Sequence, residues 1–233
     1  MQYDVNHSLK ILNTQIQQAE NSAGRTPGSV TLLAVSKTKS IEAIQKAIAA
    51  GQRSFGENYV QEAVEKIQAI NNPNLEWHFI GPIQSNKTKL IAENFAWVHS
   101  VDRIKIAERL NKQHGDFMKE NSDAQPINIC LQLNISEEES KSGINSAELF
   151  QLASVVDNCE YLTLRGIMAI PEKNAPESTY LKMQSLFNQL KAQYPSVDTL
   201  SLGMSNDLCQ AIAAGSTMVR IGTAIFGERE YNQ

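Results

Sequence analysis

A lysine ends an apolar run near the start of the chain, at a place where an amine can act as a nucleophile. Residues 32–37 have the sequence LLAVSK, and strand alternation would put Leu33, Val35 and Lys37 on one face. With Leu33 and Val35 filling an interior, Lys37 projects into a partly desolvated space. Desolvation lowers the proton affinity of an ammonium group, and a neutral amine attacks an aldehyde. Lys39 has the same parity as Lys37 but lies past the strand. The alternative for Lys37 is that it is simply solvated, as a lysine at a strand end more often is.

Two later segments combine glycine with hydroxyl side chains. Residues 201–207 have the sequence SLGMSND, and residues 219–227 have the sequence VRIGTAIFG. Gly222 permits close approach of a ligand to the backbone, and Thr223 and Ser205 offer hydroxyl and N–H donors of the kind that bind phosphate. Ser205 is equally well explained as an ordinary helix cap.

Arg220 lies within an apolar run, where burial of its charge requires a partner. The sequence leaves open whether that partner is a buried carboxylate, a ligand or, if the side chain reaches the surface, water.

Eight short apolar runs alternate with helical segments, and these elements must position the residues described above. The runs span residues 30–37, 54–58, 76–81, 96–101, 127–134, 161–170, 199–204 and 218–226. Strands joined by helices are parallel, and eight such units in about 200 residues predict a (β/α)8 barrel of the TIM type. An open doubly wound sheet is the alternative. Apolar residues at helical spacing from Val5 to Ala19 predict an extra N-terminal helix.

Composition narrows the possible classes of protein. The chain has 233 residues, 42% of them hydrophobic, and a net charge of −4, which fits one barrel domain over residues 1–233 and gives no reason to expect a nucleic-acid partner. The three cysteines are sparse and the four histidines lack metal-ligand spacing. With no apolar segment typical of a signal peptide or membrane span, we expect a cytoplasmic protein with no membrane partner.

The motifs together resemble one known family. They are AVSKTKS (34–40), FGENYVQE (55–62), WHFIGPIQSNK (77–87), NISEEESKSGI (134–144), GIMAIP (166–171), LSLGMSND (200–207) and VRIGTAIFG (219–227). This set, in order and over nearly the whole chain, is similar to the pyridoxal phosphate homeostasis protein family.

The resemblance implies a barrel like the N-terminal domain of alanine racemase, with pyridoxal 5′-phosphate (PLP) as cofactor. It implies that Lys37 forms the Schiff base and that Arg220 faces the pyridine nitrogen. The phosphate would be held by Ser205, Gly222 and Thr223. The cofactor pocket would be lined by Asn58 and Met168.

Three hypotheses for function follow. The first, which the resemblance favours, is a carrier or buffer that holds PLP reversibly, with PLP-dependent apoenzymes as recipients. The second is a minimal amino-acid racemase or decarboxylase. The third is a barrel that binds an unrelated phosphorylated metabolite. We expect no amino-acid turnover, because an arginine at the pyridine nitrogen only donates hydrogen bonds and weakens the ring as an electron sink. We also expect a monomeric protein.

Racemisation also needs a second base, and the tyrosines offer no evident one. Five lie outside the pocket motifs: Tyr3, Tyr161, Tyr180, Tyr194 and Tyr231. Tyr59 opens the helix after the second strand and is the exception to test. Lys141, beside three glutamates, is either a solvated loop residue or a secondary amine that captures PLP as it leaves.

Overall fold

The computed structural model describes residues 4–136 and 142–228. Within them, eight parallel strands follow one another around a closed barrel, and β8 pairs with β1. The strands are β1 (Thr31–Val35), β2 (Ser54–Glu57), β3 (Glu76–Phe79), β4 (Trp97–Val101), β5 (Ile127–Leu133), β6 (Leu162–Ala169), β7 (Thr199–Ser201) and β8 (Met218–Ile221). The predicted (β/α)8 architecture is therefore confirmed, and the open sheet is excluded.

Helices join the strands around the outside. They are α1 (Val5–Ser22), α2 (Ile41–Ala49), α3 (Val60–Ile70), α4 (Thr88–Asn94), α5 (Ile104–Glu120), α6 (Leu149–Asp157), α7 (Glu177–Gln193), α8 (Leu208–Ala213) and α9 (Thr223–Phe226). Among the described residues, no helix is both long and apolar enough to cross a membrane.

The predicted N-terminal helix is confirmed as α1. Its apolar stripe is buried from Val5 to Ala19 and packs against α2, α8 and α9, on the side where β8 meets β1. Buried Glu20 at its end accepts hydrogen bonds from the backbone N–H groups of Gly28 (2.9 Å) and Val30 (2.8 Å). The carboxylate thus fixes the loop that delivers the chain into β1.

The predicted strand over residues 218–226 is wrong beyond Ile221. The backbone turns at Gly222, and residues 223–226 form the short helix α9. An apolar run of this length fits a buried helix as well as a strand. The predicted run 199–204 likewise stops at Ser201, because Gly203 has a φ of +100°, which lies outside the strand region.

Two separate layers of side chains fill the molecule. The main apolar core lies between the strands and the surrounding helices. The inside of the barrel holds a small apolar cluster of Trp97, Cys130 and Met168. This second layer also contains buried polar side chains, and these lie directly beneath the strand ends where a site is expected.

Candidate functional site

The predicted site residues lie at or near the carboxyl ends of five strands. Lys37 follows β1, Asn58 follows β2, and Met168 lies near the end of β6. Ser205 is exposed in the loop between β7 and α8. Arg220 lies in β8, and Gly222 and Thr223 follow it directly. The fold thus gathers at one end of the barrel residues that are up to 186 positions apart in the sequence.

The register of β1 agrees with the predicted alternation. Leu33 pairs with Arg220 on β8, and Val35 pairs with Gly56 on β2, so these residues share the inward face. The strand itself ends at Val35, and half-buried Lys37 belongs to the turn that follows. Its role as the attachment point stays a prediction.

The neighbouring lysine is engaged elsewhere. The Nζ of Lys39 donates to the backbone carbonyl oxygens of Gly227 (2.9 Å) and Glu228 (2.7 Å). These contacts attach the segment after α9 to the turn after β1. Lys39 therefore has a structural task on the outer side of the barrel, which favours Lys37 over Lys39 as the nucleophile.

Gly222 allows the end of β8 to approach β1 closely. A Cβ atom at this position would lie 3.2 Å from the carbonyl oxygen of Val35. Thr223 is exposed at the first position of α9, so its hydroxyl and N–H can reach a ligand at the barrel mouth. The neighbouring loop after β7 carries Ser205.

Asp207, for which the sequence predicted no role, orders the loop that carries Ser205. Its Oδ1 accepts from the N–H of Met204 (2.7 Å), and its Oδ2 accepts from the hydroxyl of Tyr180 (2.8 Å). Tyr180 thus lies beside a predicted phosphate loop, although the sequence places it outside the pocket motifs. Burial and the Asp207 carboxylate raise the pKa of Tyr180, so this phenol is a poor base.

Arg220 hydrogen-bonds to neutral groups, so among the described residues the partner that the sequence left open is not a buried carboxylate. Its Nη1 donates to the carbonyl oxygen (2.7 Å) and hydroxyl oxygen (2.8 Å) of Ser201, and its Nη2 donates to the carbonyl of Ala169 (2.8 Å). Burial lowers the pKa of Arg220 to about 10, so the side chain stays charged at pH 7. Among the described residues, these bonds leave two of its five N–H groups for a ligand.

Two histidines continue the hydrogen bonding from Arg220 through the barrel interior. The Nδ1 of His99 lies 3.0 Å from the hydroxyl of Ser201, and its Nε2 lies 3.0 Å from the Nδ1 of His78. The guanidinium only donates, whereas the Ser201 hydroxyl has one proton and two lone pairs and can either donate to His99 or accept from it. In both cases the order Arg220–Ser201–His99–His78 needs one proton on each ring.

Burial keeps both rings neutral, as this order requires. It lowers the pKa of His78 to about 3 and that of His99 well below its ordinary value, and the Arg220 charge lowers the latter further. Neither residue was predicted from the sequence, because the histidines have no metal-ligand spacing that would single them out. The available signal was that each occupies an inward-facing position on its strand.

A cavity of about 660 Å³ opens at the other side of the barrel mouth, between the ends of β2, β3, β5 and β6. Asn58 is the one of the seven predicted residues that lines it. The Oδ1 of Asn58 is buried and has no hydrogen-bond partner among the described residues. Such an atom is costly unless a ligand satisfies it.

The two remaining candidates lie away from these contacts. The Tyr59 side chain is 51% exposed at the start of α3. Lys141 lies outside the described residues, and its two interpretations remain as predictions.

Comparisons with known proteins agree with this geometry. The sequence profile of the family described as alanine racemase, N-terminal domain, matches residues 8–230. A curated Escherichia coli protein named "Pyridoxal phosphate homeostasis protein" is 53% identical over 240 residues, which cover 99% of each chain.

Two solved structures extend the comparison. PipY of Synechococcus elongatus, solved with PLP bound, is 34% identical, with a TM-score of 0.78 over 96% of this chain and 100% of its own. Alanine racemase from Corynebacterium glutamicum is 15% identical, with a TM-score of 0.70 over 98% of this chain and 61% of its own, a likeness that shows the fold alone. The identity to the E. coli protein, the matching family profile and the closed barrel show that the chain belongs to the pyridoxal phosphate homeostasis protein family. This family shares the fold of the N-terminal domain of alanine racemase.

Proposed function

We propose that this protein binds PLP as a reversible Schiff base on Lys37 and serves intracellular PLP homeostasis as a carrier or buffer. The observation that carries the proposal is the arrangement at the barrel mouth. Lys37, Arg220 and the loops after β7 and β8 lie at one end of a barrel whose relative PipY was solved with PLP bound. The name of the E. coli relative supports the homeostatic role.

The side chains at the barrel mouth fit the chemical groups of PLP. When bound, PLP supplies an aldehyde that condenses with a lysine amine and releases one water. Arg220 offers one of its two remaining N–H groups to the single lone pair of the pyridine nitrogen. Ser205 and Thr223 offer hydroxyl groups to the phosphate, and Gly222, which lets the end of β8 lie close to β1, is proposed to present its backbone to the phosphate. Asn58, whose buried Oδ1 has no partner among the described residues, is proposed to line the rest of the pocket together with Met168, which is buried near the end of β6.

The same residues argue against turnover of amino acids. Arg220 is charged at pH 7 and backed by the Ser201 hydroxyl, so it holds the pyridine nitrogen unprotonated and limits its use as an electron sink. Racemisation also needs a second base opposite Lys37. Tyr59 is mostly exposed, and the hydroxyl proton of Tyr180 is committed to Asp207. General acid–base catalysis contributes a rate factor of about 10²–10⁴. The lack of a second base should therefore slow racemisation by about that factor.

We propose a monomeric, single-domain protein over residues 1–233 that acts in the cytoplasm and passes PLP to PLP-dependent apoenzymes. Cys130, Cys159 and Cys209 are all free thiols, which fits a reducing compartment. The net charge of −4 supports a partner other than nucleic acid.

The test is a visible absorption spectrum of the purified protein with added PLP, followed by incubation with a panel of L-amino acids. We expect a visible Schiff-base band that is absent from Lys37→Ala, with no measurable racemisation or release of carbon dioxide. The absence of a band in the wild-type protein would instead support the binding of another phosphorylated metabolite. A turnover of about 1 s⁻¹, within the usual range for enzymes and abolished in Lys37→Ala, would establish an enzyme.

A further inference from the structure

A buried ion cluster lies outside the barrel, directly behind the turn that carries Lys37. Its centre is Lys66 on α3, whose side chain is only 6% exposed. The Lys66 ammonium donates to the Oε1 of Glu57 (2.8 Å), the Oε1 of Glu62 (2.5 Å) and the backbone carbonyl of Ser36 (2.8 Å). We call Glu57, Glu62 and Lys66 the α3 cluster.

The α3 cluster contacts the backbone on both sides of Lys37. On one side, the hydroxyl of Ser36 donates to the Oε1 of Glu57 (2.7 Å), and the Ser36 carbonyl accepts from Lys66. On the other side, the N–H of Thr38 donates to the Oε1 of Glu62 (2.6 Å). The residues before and after Lys37 are therefore attached to the same three charged side chains.

The conformation of Thr38 needs this support. Its φ is +62°, in the left-handed region that β-branched residues avoid. A strained residue of this kind persists only where its surroundings hold it. The bond from its N–H to Glu62 is such a constraint, and it sets the direction in which the chain leaves Lys37.

The cluster is also costly to bury. The Glu57 side chain is fully buried, and in the described part of the chain its Oε2 has no hydrogen-bond partner. Burial raises the pKa of Glu57, and the Lys66 charge opposes the increase. A buried ion pair is often no more stabilising than apolar side chains of similar volume. Stability alone therefore explains the α3 cluster poorly, whereas its contacts to Ser36 and Thr38 explain it directly.

We propose that Glu57, Glu62 and Lys66 are positioning residues that hold the Ser36–Thr38 backbone so that the amine of Lys37 meets the PLP aldehyde at a productive angle. The inference rests on the proposed function. It predicts that loosening the cluster slows Schiff-base formation and leaves non-covalent recognition of the phosphate and ring unchanged. A misplacement of about 1 Å can slow a reaction about 10²-fold.

The test uses Glu62→Ala in the full chain, because this side chain is 31% exposed and its removal leaves Glu57 and Lys66 paired. The matched control is Glu93→Ala on α4. Glu93 is 29% exposed and pairs with Lys89 at the same i,i+4 spacing, but at 3.7 Å and away from Lys37. Glu62→Gln is the conservative variant, since its amide oxygen still accepts from Thr38 and Lys66.

Two ligands distinguish a role of the α3 cluster in positioning Lys37 from general damage to the binding site. PLP reports Schiff-base formation through the growth of the visible band. Pyridoxamine 5′-phosphate carries an amine in place of the aldehyde, so its dissociation constant, measured by calorimetry, reports recognition alone. For Glu62→Ala we expect the rate with PLP to fall about tenfold to 10²-fold and the affinity for pyridoxamine 5′-phosphate to stay within about twofold. Glu62→Gln and Glu93→Ala should match the wild type.

Several outcomes would overturn the inference. An unchanged rate with PLP in Glu62→Ala would do so, as would equal losses for both ligands, since equal losses indicate general damage to the site. Failure of Glu62→Gln to restore the rate would also count against it. A wild-type protein that forms no visible band would refute the proposed function itself, and the wild-type sample alone reveals that case.

Discussion

Acidification is expected to destabilise the fold through His78. Burial lowers the pKa of this ring from 6.5 to about 3 in the folded protein, whereas the unfolded chain keeps the ordinary value. The unfolded state therefore binds a proton first, and stability is lost as the pH falls from 6.5 towards 3. One pKa unit corresponds to about 1.4 kcal/mol. At pH 5, which is 1.5 units below 6.5, His78 alone costs about 2 kcal/mol. His99, whose pKa is also lowered, adds a further loss in the same direction.

The assay is urea unfolding at several pH values between 7 and 5. His78→Asn removes the titrating ring and keeps an amide that can hydrogen-bond to the Nε2 of His99. Its free energy of unfolding should fall by about 2 kcal/mol less than that of the wild type over this interval. His7→Asn is the control, because His7 is exposed on α1 and solvated in both states. Equal losses for wild type and His78→Asn would refute the neutral histidine chain behind Arg220.

Three further predictions concern the barrel mouth. Thr223→Val should raise the dissociation constant for PLP about tenfold to 10²-fold, because a hydrogen bond to a charged group contributes about 1.5–3 kcal/mol. An equal loss for unphosphorylated pyridoxal, in the same absorbance titration, would contradict the phosphate assignment. Gly81→Ala puts a Cβ atom 2.2 Å from the carbonyl oxygen of Asn58 and should lower the free energy of unfolding in urea by about 1–3 kcal/mol; an unchanged urea midpoint would show that the strand ends separate freely. Lys39→Met should lower the free energy of unfolding by about 1–3 kcal/mol, because the bonds to the carbonyl groups after α9 are lost. The visible Schiff-base band should be retained, and its loss would point to Lys39 as the attachment site.

The order of elements was predictable from the sequence because each strand is a compact apolar run bounded by polar residues. The ends of the runs were not, since Ala224, Ile225 and Phe226 suit a helix as well as a strand. Here the helix forms directly after the chain turns at Gly222, and it buries Ile225 and Phe226.

The site was predictable only in part. Lys37 and the two Gly/hydroxyl segments were visible because each follows directly on a strand. The partners of Arg220 and the histidines behind them were not, because Ser201 and His99 are 102 residues apart in the sequence and meet only when the barrel closes. The α3 cluster was hidden for a related reason: its lysine contacts the carbonyl of a residue 30 positions earlier, and no sequence periodicity marks that contact.

The central claim is that Lys37 is the covalent attachment point for PLP, and the most direct test is chemical trapping. The full chain is saturated with PLP, reduced with borohydride, digested and examined by mass spectrometry. Borohydride converts the Schiff base to a stable amine, so the account predicts a phosphopyridoxyl group on the peptide that contains Lys37 and none in Lys37→Ala. A phosphopyridoxyl group on Lys39 alone, or an equal yield from Lys37→Ala, would contradict it.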